Sequence, residues 1–325
     1  MTTIYDIAQL SGISKSTVSR VVSGNGYVSE AKRKRILKAM HDLDYVPNQT
    51  AKNLRRQHSN TLGFLVSDYF PLVGEFMNVF VQAAHAKGYN VNLYFTQNKQ
   101  GEREALDLLA TKMLDGIFLM TRINSWSVIE SYQAFGPIAT WHRVNLPDIY
   151  SAYLDHYPVY TMILNRLLAH GYTHIGHVFS SNRDANTQAR VRALQDFGHA
   201  NPGLKLSWQK HFTHQTQAGQ NAAKAWLQER IPPQAVICYS DHVAAEFIAT
   251  LREGGKRVPQ DCLVIGTDNS QVAKLVGFPT VDLCFRQQAQ NSFNYLFNQL
   301  RNAELPVQSL HPKWVDWGPF PQVKN

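Results

Sequence analysis

Three cysteines in 325 residues, Cys238, Cys262 and Cys284, are too few and too far apart to read as a disulfide framework. Each lies in an apolar stretch, where a reduced core thiol belongs. No apolar run approaches the ~20 residues that a membrane-spanning helix needs. Met1 to Asp6 show no basic-then-apolar leader and run straight into an amphipathic pattern, so the expected location is cytoplasmic. P-loop, GxGxxG and GxSxG motifs are missing. His170, His174 and His177 are close in sequence, but on a turn and a strand they do not converge, and no nearby Cys or carboxylate completes a zinc set. No catalytic residue, metal or cofactor is expected. Residues 1–60 also lack Trp and Phe, which argues against a membrane-surface helix.

Charge is present and unevenly placed. Residues 1–60 hold ten Lys/Arg against four acids, so +6 of the chain's +8 sits in less than a fifth of its length. A basic head on a near-neutral body points to an anionic partner for the head. In that head, Thr3 stands at an N-cap position, and Ile4, Ile7, Ala8 and Ser11 share one helical face. Gly12 ends the helix and Ser14 is placed to cap a second. At about 100° per residue, Lys15, Ser16, Ser19 and Arg20 fall on its front and Val18, Val21 and Val22 on its back. Gly24 and Gly26 end it, Ser29 opens a third helix, and Ile36, Leu37, Met40 and Leu43 are the expected buried stripe. Two short helices around a glycine turn with a third behind them describe a helix-turn-helix, whose second helix fits the major groove. On pattern alone, a three-helix bundle with a merely solvated polar face stays open.

The residues go further than the pattern. Ile4-Tyr5-Asp6-Ile7-Ala8, Ser11-Gly12-Ile13-Ser14, Ser16-Thr17-Val18-Ser19-Arg20-Val21 and Tyr45-Val46-Pro47-Asn48, with Ala51 and Leu54, closely resemble the headpiece of the lactose-repressor (LacI/GalR) family across positions 4–56. That resemblance implies base reading by Lys15, Ser16 and Arg20, and phosphate contacts by Ser14, Thr17, Asn25 and Tyr27. It also places Thr3, Tyr5, Asn48 and Ala51 in the DNA-facing set. Residues 48–56 have the length of a two-turn helix, marginal in isolation. By resemblance, such hinge helices pair over the minor groove as Leu54 from each subunit wedges between base steps.

From Asn60 onward apolar runs alternate with helical patterns. Strands are expected at Leu62–Ser67, Val91–Phe95, Gly116–Met120, Ile138–Trp141, Ile175–Phe179, Val236–Tyr239, Leu263–Gly266 and Val281–Phe285. The intervening helical patterns are Glu75–Lys87, Arg103–Leu114, Tyr157–His170, Thr187–Ala200, Thr216–Glu229 and Val243–Glu253. The alternation gives an α/β domain of parallel sheets in two lobes, and the resemblance implies that it is periplasmic-binding-protein-like. The expected fold is therefore a small all-α helix-turn-helix headpiece plus an α/β two-lobed, periplasmic-binding-protein-like domain with parallel sheets. Its segments are a headpiece at 1–46, a hinge at 47–60 and an effector-binding and dimerisation domain at 61–325. One lobe takes about 61–155 and 287–315, the other about 156–286. Gly255–Asn269, His170–Gly176 and Tyr239-Ser240-Asp241 carry the family resemblance into this region.

By that resemblance Arg192, Ser240, Asp241, Asp268 and Phe285 form the ligand set, with Ser240 departing from the family's usual Asn. The implied protein is a cytoplasmic homodimer that binds a palindromic double-stranded DNA operator and answers to a small-molecule effector, with no membrane partner. A repressor of a carbohydrate-utilisation operon sensing a sugar or sugar phosphate is the first reading. A corepressor-dependent regulator binding a purine or other metabolite is the second. An architectural DNA-binding protein without effector, and a periplasmic binding protein, are the rivals from other classes. The tail Trp314–Pro321 is broken by prolines and cannot form a tetramerising heptad helix, so the dimer is the expected assembly.

Overall fold

The computed structural model describes residues 2–23, 26–45, 58–181, 184–212 and 217–323. The head is three helices: α1 (Ile4–Ser11), α2 (Lys15–Ser23) and α3 (Glu30–Asp42). Asp6 accepts hydrogen bonds from the Thr3 amide at 2.7 Å and the Thr3 hydroxyl at 2.8 Å, which fixes the start of α1. Gly12 ends it in the left-handed region (φ +63°), and Arg35 Nη2 reaches across from α3 to the Ser11 carbonyl at 2.6 Å. Ile7, Ile13, Val18, Val21, Ile36 and Ala39 close the small core. Leu37 is not part of it: the stripe runs Ile36, Ala39, Met40, Leu43, and the next residue round the helix is 49% exposed.

Two parallel sheets follow. In the first, β1 (Thr61–Val66), β2 (Asn90–Phe95), β3 (Gly116–Leu119), β4 (Ile138–Thr140) and β5 (Ile149–Ser151) are ordered β2-β1-β3-β4-β5. Leu62, Phe64 and Val66 point to a core shared with helices Pro71–Ala86 and Phe285–Arg301. Leu65, Ile117 and Leu119 point the opposite way, toward helices Lys99–Ala110 and Trp126–Glu130. In the second sheet β6 (Ile175–Phe179), β7 (Gln209–His211), β8 (Ala235–Cys238) and β9 (Leu263–Ile265) are ordered β7-β6-β8-β9. Helices His156–Ala169 and Ala185–Ala200 cover one face, Ala218–Leu227 and Asp241–Glu253 the other.

Between Ser151 and His156 the chain leaves the first sheet for the second. Cys284 (φ +60°), whose amide donates to Asp282 Oδ1 at 2.7 Å, ends β10 (Thr280–Asp282) and starts helix Phe285–Arg301, which packs back on the first sheet. Phe285 therefore opens a helix and does not end a strand, as its apolar run suggested. A third crossing follows, because β11 (Lys313–Val315) pairs antiparallel with β10 and Trp314 packs on the second sheet's core. Residues 313–315 thus lie against the second sheet, not the first. No helix among the described residues is long and apolar enough to cross a membrane.

Candidate functional site

Two surfaces stand out, and the first is the front of α2. Its back is held by Val18 and Val21, so Lys15, Ser16 and Arg20 are exposed together. Ser14, before the helix, shares hydrogen bonds with the Thr17 hydroxyl at 2.9 Å and the Ser16 hydroxyl at 3.2 Å. Lys15 Nζ donates to the Tyr5 hydroxyl and lies 3.9 Å from the Tyr5 ring centroid. The lysine lowers the Tyr5 pKa by that hydrogen bond and by its charge. The aliphatic stem of Arg20 lies beside Gly26 (φ +90°), where a side chain would be strained. Thr3 is exposed at the start of α1, and Tyr27 is 91% exposed with no core to fill. The arrangement is a row of donors on a short, convex, basic helix, suited to base edges and phosphates.

The second surface is a cleft of about 720 Å³ between the two sheets, at the carboxyl ends of their strands. The first sheet's loops supply Ser67, Thr121, Arg122, Trp141, His142 and Arg143. The second sheet's side supplies Ser180, Asp184, Arg190, Tyr239, Ser240 and Asp268. Phe285 lies where the chain crosses, its ring 5.9 Å from that of Trp141. Trp141 Nε1 donates to Gln288 Oε1 at 2.8 Å and so locks this wall to the returning helix.

Burial dominates the electrostatics. Arg190 is 5% exposed, its Nη2 donates to the Tyr239 carbonyl at 3.4 Å, and burial lowers its pKa. Burial, and secondarily the Asp241 charge, pushes the Asp268 carboxyl well above the usual carboxylate range. Asp268 also has φ +138°, a strained backbone of the kind that collects at ligand sites. His142 falls to about 4, through burial first and the Arg122 cation second. Because that value lies below the ordinary 6.5, the stability carried by neutral His142 is complete above pH 6.5 and is lost as pH falls through about 4. Its imidazole resonances are expected not to titrate between pH 8 and pH 5 in the ligand-free protein. An NMR midpoint near the ordinary value would contradict this environment.

The structure brings Ser240, Asp268 and Phe285 together in the cleft and leaves out Arg192 and Asp241. Two residues along helix Ala185–Ala200 is about 200° of rotation, so when Arg190 faces the cleft Arg192 must face away. Arg192 is exposed beside Thr187, Gln188 and Val191. Asp241 is fully buried behind the wall, accepting from the Ser270 amide at 2.7 Å and the Thr280 hydroxyl at 2.6 Å. It braces the Asp268 loop, and a Cβ on Gly266 would strike its Oδ1. Burial pushes its pKa up to about 6. Sequence reading missed Arg190, Arg122, Trp141 and His142; the first was one helical face away in a motif with two arginines. Asn25, Asn48, Ala51 and Leu54 lie outside the described residues.

Residues 3–48 match the family described as bacterial regulatory proteins, lacI family, and residues 164–316 match a periplasmic binding protein-like domain. Catabolite control protein B of Bacillus subtilis (strain 168) is 31% identical over 314 residues, covering 95% of this chain and 98% of that protein. The NTD biosynthesis operon regulator NtdR of the same organism is 33% identical over 288 residues, covering 86% of each. The crystal structure of the lac repressor dimer bound to operator and the anti-inducer ONPF superposes with a TM-score of 0.79, at 22% identity and 93% coverage of both chains; at that identity the likeness is one of fold. A helix-turn-helix head, two parallel sheets around a cleft and full-length relatives that are transcriptional regulators agree with one another. This chain belongs to the lacI family of bacterial regulatory proteins and is a DNA-binding transcriptional regulator.

Proposed function

We propose that this regulator is a cytoplasmic, non-enzymatic repressor that binds a palindromic operator as a homodimer and is controlled by a sugar or sugar phosphate held in the cleft. Residues 1–46 serve as headpiece, 47–60 as hinge, and 61–325 as a two-lobed sensor and dimerisation domain. Two neighbouring protomers set half-sites about one helical turn apart. Lys15, Ser16 and Arg20 read bases, Ser14, Thr17, Asn25 and Tyr27 hold register on the backbone, and Thr3, Tyr5, Asn48 and Ala51 complete the DNA-facing set. The observation that carries the sensing part is the cleft itself: aromatic walls from Trp141 and Phe285 beside Arg190, Asp268 and Ser240. Flat apolar faces beside polar groups suit the alternating CH and OH surfaces of a sugar. A purine corepressor is the second reading, favoured by the same aromatic faces.

Arg190 takes the effector-binding role that the family resemblance implied for Arg192. Ligand-driven movement of the lobes alters the spacing of the hinge pair, a two-state element biased from two sites. The hinge is tested by Leu54→Ala. Loss of an apolar wedge is expected to weaken selected-operator binding by about tenfold or more while non-specific binding changes little. Electrophoretic mobility shifts on both duplexes measure it, and equal losses on the two would remove the wedge.

A further inference from the structure

The two walls of the cleft differ in charge. On the second sheet's wall the cation Arg190 is accompanied by two acids, Asp184 and Asp268, each attractive to it in its ionised form. On the first sheet's wall the charged groups that line the cleft are Arg122 and Arg143. Neither guanidinium forms an ion pair with a carboxylate among the described residues.

Both arginines are held in place by aromatic faces, without a direct carboxylate partner among the described residues. The Arg122 guanidinium stacks 4.8 Å from the Trp126 ring, and Nη1 donates to the Asn124 carbonyl. Its Nε is buried without a hydrogen-bond partner among the described residues, as is His142 Nε2 beside it. Arg143 stacks 5.1 Å from the Tyr153 ring, with Nη1 donating to the Tyr153 hydroxyl at 3.5 Å; that hydroxyl donates in turn to Asp155 Oδ1 at 3.2 Å, so the Arg143 charge is offset in part, through one hydroxyl. The loop that carries Arg122 is itself clamped. Buried Glu102 accepts from the Ile123 amide at 2.8 Å, the Asn124 amide at 2.6 Å and Asn124 Nδ2 at 2.7 Å. An aromatic face fixes a guanidinium plane while leaving edge donors free, a preorganised arrangement for phosphate or carboxylate oxygens. Unpartnered buried donors are costly, and an anion supplies what they lack.

We infer that the cleft takes an anionic polyol in one orientation, its phosphate or carboxylate against Arg122, Arg143 and His142 and its hydroxyls against Arg190, Asp184 and Asp268. The inference rests on the sugar-sensing reading and narrows it to phosphorylated or acidic sugars. Binding the anion beside His142 also raises that imidazole's affinity for a proton, since it places a negative charge next to the Arg122 cation that lowers it.

Isothermal titration of the full-length protein with matched probes tests it: glucose, fructose, mannose and galactose, each free, as its 6-phosphate, and for glucose also as gluconate. Inorganic phosphate serves as the charge-only arm. At least one charged probe is expected to bind about tenfold or more tighter than its neutral parent and than inorganic phosphate. Arg122→Gln combined with Arg143→Gln is expected to erase that preference, so that the charged probe and its neutral parent bind the double variant about equally. A phosphate-against-carboxylate difference identifies the head group. Neutral parents binding as tightly as their charged forms, or a preference that survives the double variant, overturns the anion subsite and leaves sugar sensing intact. Absence of binding by every sugar, charged or not, overturns both.

Discussion

Arg20→Ala is expected to reduce binding to the specific operator between about 30-fold and 10⁴-fold, while binding to unrelated duplex DNA falls only slightly. A bidentate arginine–guanine contact discriminates by about 1–3 kcal/mol, and a homodimer makes it twice. Arg20 is exposed on the front of α2, and Val18 and Val21 hold the helix from behind, so the change leaves the fold in place. Surface substitutions of that kind stay within about 0.5 kcal/mol in stability. Fluorescence anisotropy on specific and scrambled duplexes measures the ratio. An equal loss on both would make Arg20 a phosphate contact, and no loss on either would move recognition away from α2. Lys15 offers a second arm, since it is tethered to Tyr5 and must leave that partner to reach the groove.

The second large effect lies in the cleft. Arg190 is buried, with half-buried Asp268 and exposed Asp184 near enough to attract it, so Arg190→Ala removes their cation and a donor to the Tyr239 carbonyl. Losing a buried hydrogen bond of this kind costs about 1–3 kcal/mol, and the alanine variant is expected to lose thermal stability together with its ligand response. Arg190→Lys separates the two effects. It keeps the charge but not the planar fork, so stability is largely retained while the affinity for the cleft ligand falls by about tenfold or more. Differential scanning fluorimetry reads the first effect and titration calorimetry the second. A lysine variant with wild-type affinity would show that Arg190 supplies only charge. Arg192→Ala, by contrast, alters neither, because that side chain is on the outer face of the helix.

The head was readable almost in full from its residues. Short-range signals decide it: Thr3 and Asp6 at the cap, Gly12 where φ is positive, valines on one side of α2. Eight strands of the body were also visible as apolar runs; the central parallel ones, β1, β3, β6 and β8, are buried on both faces. What escaped was held together by partners distant in sequence. β5, β7 and β11 are three residues each at sheet edges, too short for any period to show. Helix Phe285–Arg301 was hidden by its polar residues. Asn291, Asn294 and Asn298 read as surface, but they bond the backbone of Gln308, Pro306 and Leu305 as that segment passes over them. The cleft was half legible. Ser240 and Asp268 follow strand ends that sequence locates, and Phe285 reaches the cleft from the first turn of a helix, whereas Asp241 turned inward as a brace and Arg192 outward. Which of two arginines two residues apart faces a cleft depends on helix phase, and no local pattern sets that. Arg122, Trp141 and His142 were invisible for a different reason, since they follow unremarkable strands and meet only across the fold.

The central claim is that occupation of the cleft changes the grip of the head on DNA. The most direct measurement is the operator Kd of the full-length protein, on a duplex selected by the protein from random sequence. It is taken with and without a saturating charged sugar, in wild type and in Arg190→Lys. Coupling of about 1–3 kcal/mol is usual for allosteric regulators, so the account predicts a Kd shift of roughly 5- to 150-fold in wild type. In Arg190→Lys, the same shift requires a correspondingly higher ligand concentration. An operator Kd that stays constant while calorimetry shows the cleft filled would contradict it.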